Sequence, residues 1–457
     1  MSNTLGENTG NAKETKKARR TQSKYLAPLV NKIQLFFSGK SGKISAAVVV
    51  LIWVIYAFIQ VAPTVSTPAT GWMHVYSHKD FQAEGALWKY ILELRTRIPP
   101  VISILEIATF NRRHGIGWIL YDTYHISIVM MLVLPVFFLK RPWPGLVLVM
   151  AVGTVFLHSV ILIHPSNPQL YDVLLPFLLL GYILLSRVSF GEKVPAGLGY
   201  FTAFLAGFAL SVAELSRPFV LLIFPFLIFY NLWHYGKSQK LKMLTFLIPV
   251  LLLSGLWHAK LFFYNDGQII WSNHGGTNLY QVWSPFIDET ALKARLQPEA
   301  PPVNDFGWSW NNINTQIHLE NSKARQSEIM KGIARRPGDA FLHLIDRILI
   351  FTRGRTDMYA NDPQGTVLDI YVVLVRMLYV LLGIMILFFG WKVIRKPATV
   401  LSEYFLVILL TAFLTFLPAI GEAGEEARFL ITVLPFLMSV LAIAIAGISE
   451  TPDQRLN

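Results

Sequence analysis

The sequence predicts an all-α polytopic membrane protein with about ten transmembrane helices. Three observations predict it. Only 15% of the 457 residues are charged while 53% are hydrophobic, against roughly 25% charged in a soluble domain. The deficit comes from a series of apolar runs of about 20 residues, the length that crosses a bilayer as a helix. Lys and Arg then collect in alternate short loops between those runs, as sidedness in a membrane requires.

The chain opens with a basic arm, residues 1–43, carrying Lys13, Lys16, Lys17, Arg19, Arg20 and Lys24. Such an arm is expected to lie against an anionic inner leaflet. Its basic region is too long, and small-residue cleavage signals too weak, for a cleavable leader. Span 1 is read at 44–62 and is followed by a polar outer segment, 63–115. Spans 2 to 7 are read at 117–139, 143–163, 170–186, 198–215, 218–234 and 243–263. A large polar segment, 264–368, comes next, then spans 8 to 10 at 369–391, 399–420 and 429–448, and a tail, 449–457. The organisation is thus arm, core 44–263 with its outer loop, large periplasmic loop 264–368, spans 369–448 and tail. The two outer loops are expected to build a mixed periplasmic domain.

Sidedness supports this order. With the N-terminus in the cytoplasm, the basic stretches 140–141, 187–193, 237–242 and 392–396 all fall inside. The short outer loops 164–169 and 216–217 hold a single Arg. The large outer segment balances ten Lys/Arg against eleven Asp/Glu, but long translocated loops do not count in the rule. The net charge of +12 therefore reflects membrane orientation, and nucleic acid is not expected as a partner. With no cysteine in the chain, disulfides, thiolate nucleophiles and Cys metal sites are excluded. No internal repeat is visible, and the unequal outer segments work against a two-halved transporter.

Several polar residues at the outer side are candidates for chemistry. Asp80 and Glu84 lie four apart in the first outer loop and would share a helix face. A carboxylate there can serve as general base, hold a divalent cation through oxygen, or be a solvated acid paired with Lys79 or Lys89. Asp172 opens the fourth apolar run. It is either a functional acid or a helix-start acid favoured by the helix dipole. Arg217, in Ser216-Arg217-Pro218, and Arg428, in front of the last run, are each a phosphate grip through paired donors, a snorkelling interfacial anchor, or the partner of a neighbouring Glu, Glu214 in the case of Arg217. His274-Gly275-Gly276-Thr277-Asn278 is either a close-approach loop for a ligand or a tight turn. His74, His78 and Asp80 sit in one irregular loop without helical metal spacing. His125, His158 and His258 are read as bundle histidines with satisfied partners. A stretch with Ile333, Phe341, Leu342, Leu344, Ile345, Ile348 and Leu349 among basic residues reads as a helix for the headgroup interface, broken near its start by Pro337.

Taken in order, these features resemble the C-type glycosyltransferases that use polyprenyl-phosphate sugars, particularly protein O-mannosyltransferases and lipid A aminoarabinose transferases. The residues that carry the resemblance are Asp80 through Arg95-Thr96-Arg97-Ile98-Pro99-Pro100, Tyr171-Asp172, and Arg217-Pro218. To these are added His274-Gly275-Gly276-Thr277-Asn278-Leu279-Tyr280, Arg335-Arg336-Pro337-Gly338 and Arg428-Phe429. The resemblance implies a GT-C-like fold and an inverting sugar transfer from a polyprenyl-phosphate donor to a periplasmic lipid, glycan or protein. It implies Asp80 as general base, with Asp172 orienting acceptor or sugar. Glu84, Arg97, Arg217, His274, Gly275, Gly276, Asn278 and Arg428 would bind substrate. No cofactor is required by it; a divalent cation, if one is used, would sit on Asp80 and Asp172. It places the chain in a bacterial inner membrane with its active site in the periplasm. Two other classes compete: a transporter or flippase of lipid-linked glycans, which would carry ionisable residues near the midplane, and an O-antigen ligase or polymerase-like protein, which would lean on loop arginines and a histidine.

Overall fold

The computed structural model describes residues 40–64, 126–139, 143–163, 170–191, 194–236, 238–265, 267, 275–298, 316–352, 366–397, 403–421 and 426–448. Among the described residues every regular element is helical. Helices α1 (Lys40–Thr64), α2 (Ile126–Phe138), α3 (Trp143–Ile163), α4 (Leu170–Ser189) and α5 (Ala196–Glu214) come first. A 3₁₀ turn, Pro218–Leu222, leads into α6 (Phe224–Tyr235). Then α7 (Lys240–Pro249) runs through a π-helical segment, Val250–Gly255, into α8 (Leu256–Tyr264). The large segment supplies α9 (Gly275–Trp283), α10 (Glu289–Lys293), α11 (Gln316–Arg335) and α12 (Pro337–Phe351). Long helices α13 (Thr366–Arg395), α14 (Glu403–Gly421) and α15 (Glu426–Ile448) finish the chain.

Among the described residues, five stretches are long and apolar enough to cross a membrane: Asp172–Ser189, Ala196–Glu214, Lys240–Phe263, Asp369–Arg395 and Tyr404–Gly421. Shorter apolar helices lie at Ile44–Gln60, Ile126–Phe138, Gly145–Leu157 and Phe429–Ile445. The sixth expected span is interrupted. Pro218 starts a 3₁₀ turn and Pro225 restarts an α-helix after it, leaving a regular helix of 12 residues. Leu51, Phe201, Leu251, Leu387 and Ile394 stand exposed on these helices. Such faces need a lipid solvent, because in the bilayer the burial of apolar groups against protein and against acyl chains is equivalent.

Helix α15 is the centre of the bundle. Leu430, Val433, Leu434, Phe436, Leu437, Met438 and Val440 are all buried on it, and it packs on α2, α3, α4, α13 and α14. A helix apolar all round belongs in that position. Helices α5 and α7 run parallel and very close. A Cβ on Gly207 would stand 2.0 Å from the carbonyl oxygen of Phe246, so only glycine permits this approach.

The bundle has two chemically different ends. Arg187, Lys240, Lys242, Lys392 and Arg395 lie at the ends of their helices on one side. There Lys242 Nζ donates to Ser189 O at 2.7 Å and Gln239 donates to Phe190 O at 2.8 Å, tying α7 to the end of α4. The opposite end carries Asp172, Glu214, Arg217 and the helices of the large segment. That segment, where described, is wholly helical rather than mixed. Val282, Trp283, Phe286, Ile329 and Ala340 form its own small core, and Trp283 Nε1 docks it on the bundle by donating to Ile420 O at 2.9 Å.

Candidate active site

The proline at 218 fixes the local geometry. A residue before proline is driven out of helical backbone, and Arg217 is extended (φ −144°, ψ 121°). Helix α5 therefore ends at Glu214. Its last turn is closed by Leu215 N donating to Ser211 O and by Ser216 Oγ donating to Val212 O. The extended backbone carries the Arg217 side chain across to the first turn of α4. There Nη2 meets Asp172 Oδ1 at 3.0 Å. Asp172 has no exposed surface and Arg217 keeps 14%.

The pair is walled by α15. The guanidinium carbon of Arg217 stands 5.0 Å from the Phe429 ring centroid and 5.8 Å from that of Phe219. Thr432 Oγ1 donates to Asp172 O at 3.2 Å, linking α15 to the start of α4. Aromatic faces at these distances favour a cation. The N-terminal ends of α4 and α15 thus meet around one arginine, and helix N-termini add positive potential of their own.

A second pair lies one turn back on α5. Glu214 Oε1 and His258 Nε2 of α8 are 2.7 Å apart. The other oxygen of Glu214, Oε2, is buried and has no hydrogen-bond partner among the described residues. The π segment brings the histidine there. Phe246, Val250, Ser254 and His258 follow each other at intervals of four, a row that drifts around a straight α-helix by about 40° per step. The i to i+5 bonding, seen where Leu256 N donates to Leu251 O, takes up that drift. Phe246, Val250 and Ser254 are buried.

The sequence-derived candidates divide by location. Asp80, Glu84, Arg97 and His274 lie outside the described residues, and so do His74 and His78. Arg428 stands in the first turn of α15, one residue before Phe429. Asp172 and Arg217 come together. The expected alternative for Arg217, an ion pair with neighbouring Glu214, is not what forms: Arg217 takes Asp172, and Glu214 takes His258. Sequence reasoning left Glu214 as a neighbour only. Its signal was an acid at the very end of an apolar run, three residues before Arg-Pro.

Gly275 and Gly276 start α9 rather than a turn. A Cβ on Gly276 would fall 1.8 Å from Ser322 O, and Gly276 N donates to Ser322 Oγ at 2.9 Å. The close approach that this glycine permits is therefore taken by α11. Asn278 is half-buried on the same helix, and Arg325 Nη1 donates to Thr277 Oγ1 at 3.1 Å. Pro337 separates α11 from α12 at Arg336, as its missing N–H and ring demand. Phe341, Leu342, Ile345 and Leu349 form an exposed apolar stripe on α12. Among the described residues no group of three or more His, Asp or Glu is placed to hold a metal ion.

No family model matches the chain, and no curated protein matches it in sequence. Among solved structures, the crystal structure of ArnT from Cupriavidus metallidurans bound to undecaprenyl phosphate is similar over 88% of this chain and 77% of that chain, at 13% identity and a TM-score of 0.28. A likeness of that size places no side chain, so the geometry above stands on this chain alone.

Proposed function

We propose that the chain is an integral-membrane glycosyltransferase of the C type. It moves a sugar from a polyprenyl-phosphate donor to a lipid, glycan or protein acceptor at the outer face of a bacterial inner membrane. The observation that carries this reading is the Arg217–Asp172 pair. A guanidinium is held by a fully buried carboxylate, between aromatic faces, at the end of the bundle opposite the basic loops. A lipid carrier anchored in the bilayer would present its phosphate at that depth. An arginine fixed beforehand stabilises charge on a leaving phosphate without reorganising during the reaction. The order of sequence features from Asp80 to Arg428 supports the same reading.

In this reading the chain crosses the membrane about ten times, with the N-terminus in the cytoplasm. Asp80 takes the proton of the acceptor hydroxyl as its oxygen attacks the anomeric carbon. The bond from that carbon to the phosphate oxygen breaks with inversion, and polyprenyl phosphate leaves. Asp172 fixes Arg217, and Glu84, Arg97, His274, Asn278 and Arg428 complete the substrate contacts. The ionisable pairs stand at helix ends rather than at mid-helix, which favours an enzyme over a transporter. The Glu214–His258 pair favours one second reading, an O-antigen ligase or polymerase-like enzyme that uses a histidine with arginines.

The test compares envelope lipids and glycans by mass spectrometry in a null strain rescued with wild type, Asp80→Asn or Arg217→Ala at matched expression. A sugar-sized increment restored by wild type and by neither variant is expected. Restoration by Asp80→Asn removes that residue as base and moves the histidine-dependent reading forward. Restoration by both variants, or the absence of any increment, overturns the glycosyltransferase assignment.

A further inference from the structure

We propose that the basic end of α13 is a binding site for an anionic phospholipid, whose phosphate is gripped by Lys392 and Arg395. The two cations stand three residues apart in the last turn of the helix, so they share one side of it, and both are exposed. Each is seated on an aromatic ring one turn back. Lys392 Nζ lies 4.5 Å from the Phe388 ring centroid and 5.5 Å from that of Phe389. The guanidinium carbon of Arg395 lies 4.1 Å from the Trp391 centroid. A ring at that range attracts a cation and leaves its charge in place. A carboxylate would cancel the charge, and neither cation has one as a partner among the described residues.

Lipid is what reaches this pair. Leu387 and Ile394 keep 76% and 82% of their surface, and Phe388 and Trp391 keep 44% and 50%, in a helix long and apolar enough to cross a membrane. Apolar groups exposed beside two cations match acyl chains below a headgroup. Cations at a span end ordinarily serve as snorkelling anchors with no preference among lipids. Two features go beyond that role. Both side chains are already ordered on their rings, so less freedom is lost when a ligand binds. Like charges one turn apart also repel, a cost that the negative end of the helix offsets in part and a bound anion removes. The guanidinium can take two phosphate oxygens while the ammonium acts as a point charge beside it. The headgroup that fits is one without an ammonium of its own, because a zwitterionic lipid brings a third cation to the same place.

The experiment equilibrates the full chain in nanodiscs of equal phosphatidylglycerol and phosphatidylcholine and counts the lipids it retains by native mass spectrometry. Wild type should retain phosphatidylglycerol in preference, by about fivefold for each cation. Lys392→Gln with Arg395→Gln should lose the preference. Lys293→Gln, which removes an exposed charge from α10 in the large outer segment, should keep it. Phe388→Leu with Trp391→Leu leaves both cations in place and should lower the preference, a result that charge alone would not give. An unchanged preference in that pair overturns the ring-held site and leaves only diffuse attraction. Equal retention of the two lipids by wild type, or a wild-type preference in the double cation variant, overturns the proposal outright. Lipid-free protein dimers that disappear in the double cation variant would give this face to a second copy and overturn it as well. Gel filtration confirms folding. If the double cation variant does not insert, wild type in about 0.5 M salt decides, where screening should bring the two lipids towards equal retention and an undiminished preference overturns the site.

Discussion

Arg217 Nη2 and Asp172 Oδ1 are 3.0 Å apart across 45 residues of sequence, and the contact joins the end of α5 to the start of α4. One partner is fully buried and the other nearly so, which makes the pair sensitive to losing either member. Arg217→Ala and Asp172→Ala should each destabilise the protein by about 3–5 kcal/mol, because each leaves a buried charge uncompensated. The double variant should fall short of the sum of the two. Thermal unfolding in detergent of all four proteins gives the coupling. An additive double variant would show that the pair is not a unit.

Gly276 and Gly332 approach backbone carbonyls where a Cβ would fall 1.8 Å from Ser322 O and from Phe286 O. Neither carbonyl is a flexible side-chain end. Gly276→Ala and Gly332→Ala should each cost about 1–3 kcal/mol through forced separation of the helices. Gly338→Ala, where nothing lies within 4 Å, should change little. Limited proteolysis of the large outer segment reads the difference, and equal resistance in all three would refute the packing.

Much of the bundle was legible in the sequence because bilayer thickness imposes run length. The apolar windows for α4, α5, α13 and α14 correspond to helices within a few residues. Pairings were not legible. Nothing in a linear chain says that Arg217 prefers Asp172 to Glu214, since that choice depends on Pro218 extending the backbone. The phase of His258 depends on a π segment, and helical periodicity assumes that no such segment intervenes. The glycine pair at 275–276 was legible as a site of close approach, but whether a ligand or a helix makes that approach is decided by the distant Ser322.

Glu328 of α11 is buried and accepts from Lys331 Nζ at 2.8 Å and from Arg295. Its pKa is lowered, first by the hydrogen bond from Lys331 and also by that from Arg295, against the opposing effect of burial. The lowered folded-state value means that its contribution is present above the ordinary carboxylate range and is lost as pH falls through the depressed value. The protection of α11 amides, measured against the intrinsic exchange rate at each pH, should fall on acidification below about pH 4.3, the ordinary value for Glu. Glu328→Gln should show the faster exchange already at neutral pH. An acid response unchanged in that variant would assign it to other groups.

The apolar stripe on α12 should lie in the membrane interface, with Arg335 and Arg336 at its start near headgroups. The absence of cysteine makes single-site labelling direct. A spin label on Phe341→Cys should respond to lipid-dissolved oxygen more than to a water-soluble relaxant, and one on Asp339→Cys should show the reverse order. Water accessibility at both positions would place α12 away from the bilayer.

Helix α11 is positioned by peptide groups at two points, Ser322 against Gly276 and Gly332 against Phe286. Distances set between main chains do not change when side chains do. The exposed residues of the outer helices can therefore drift widely without altering the spacing beneath them, so divergence among sequences of this kind should accumulate on that outer surface while the two glycines act as fixed rulers.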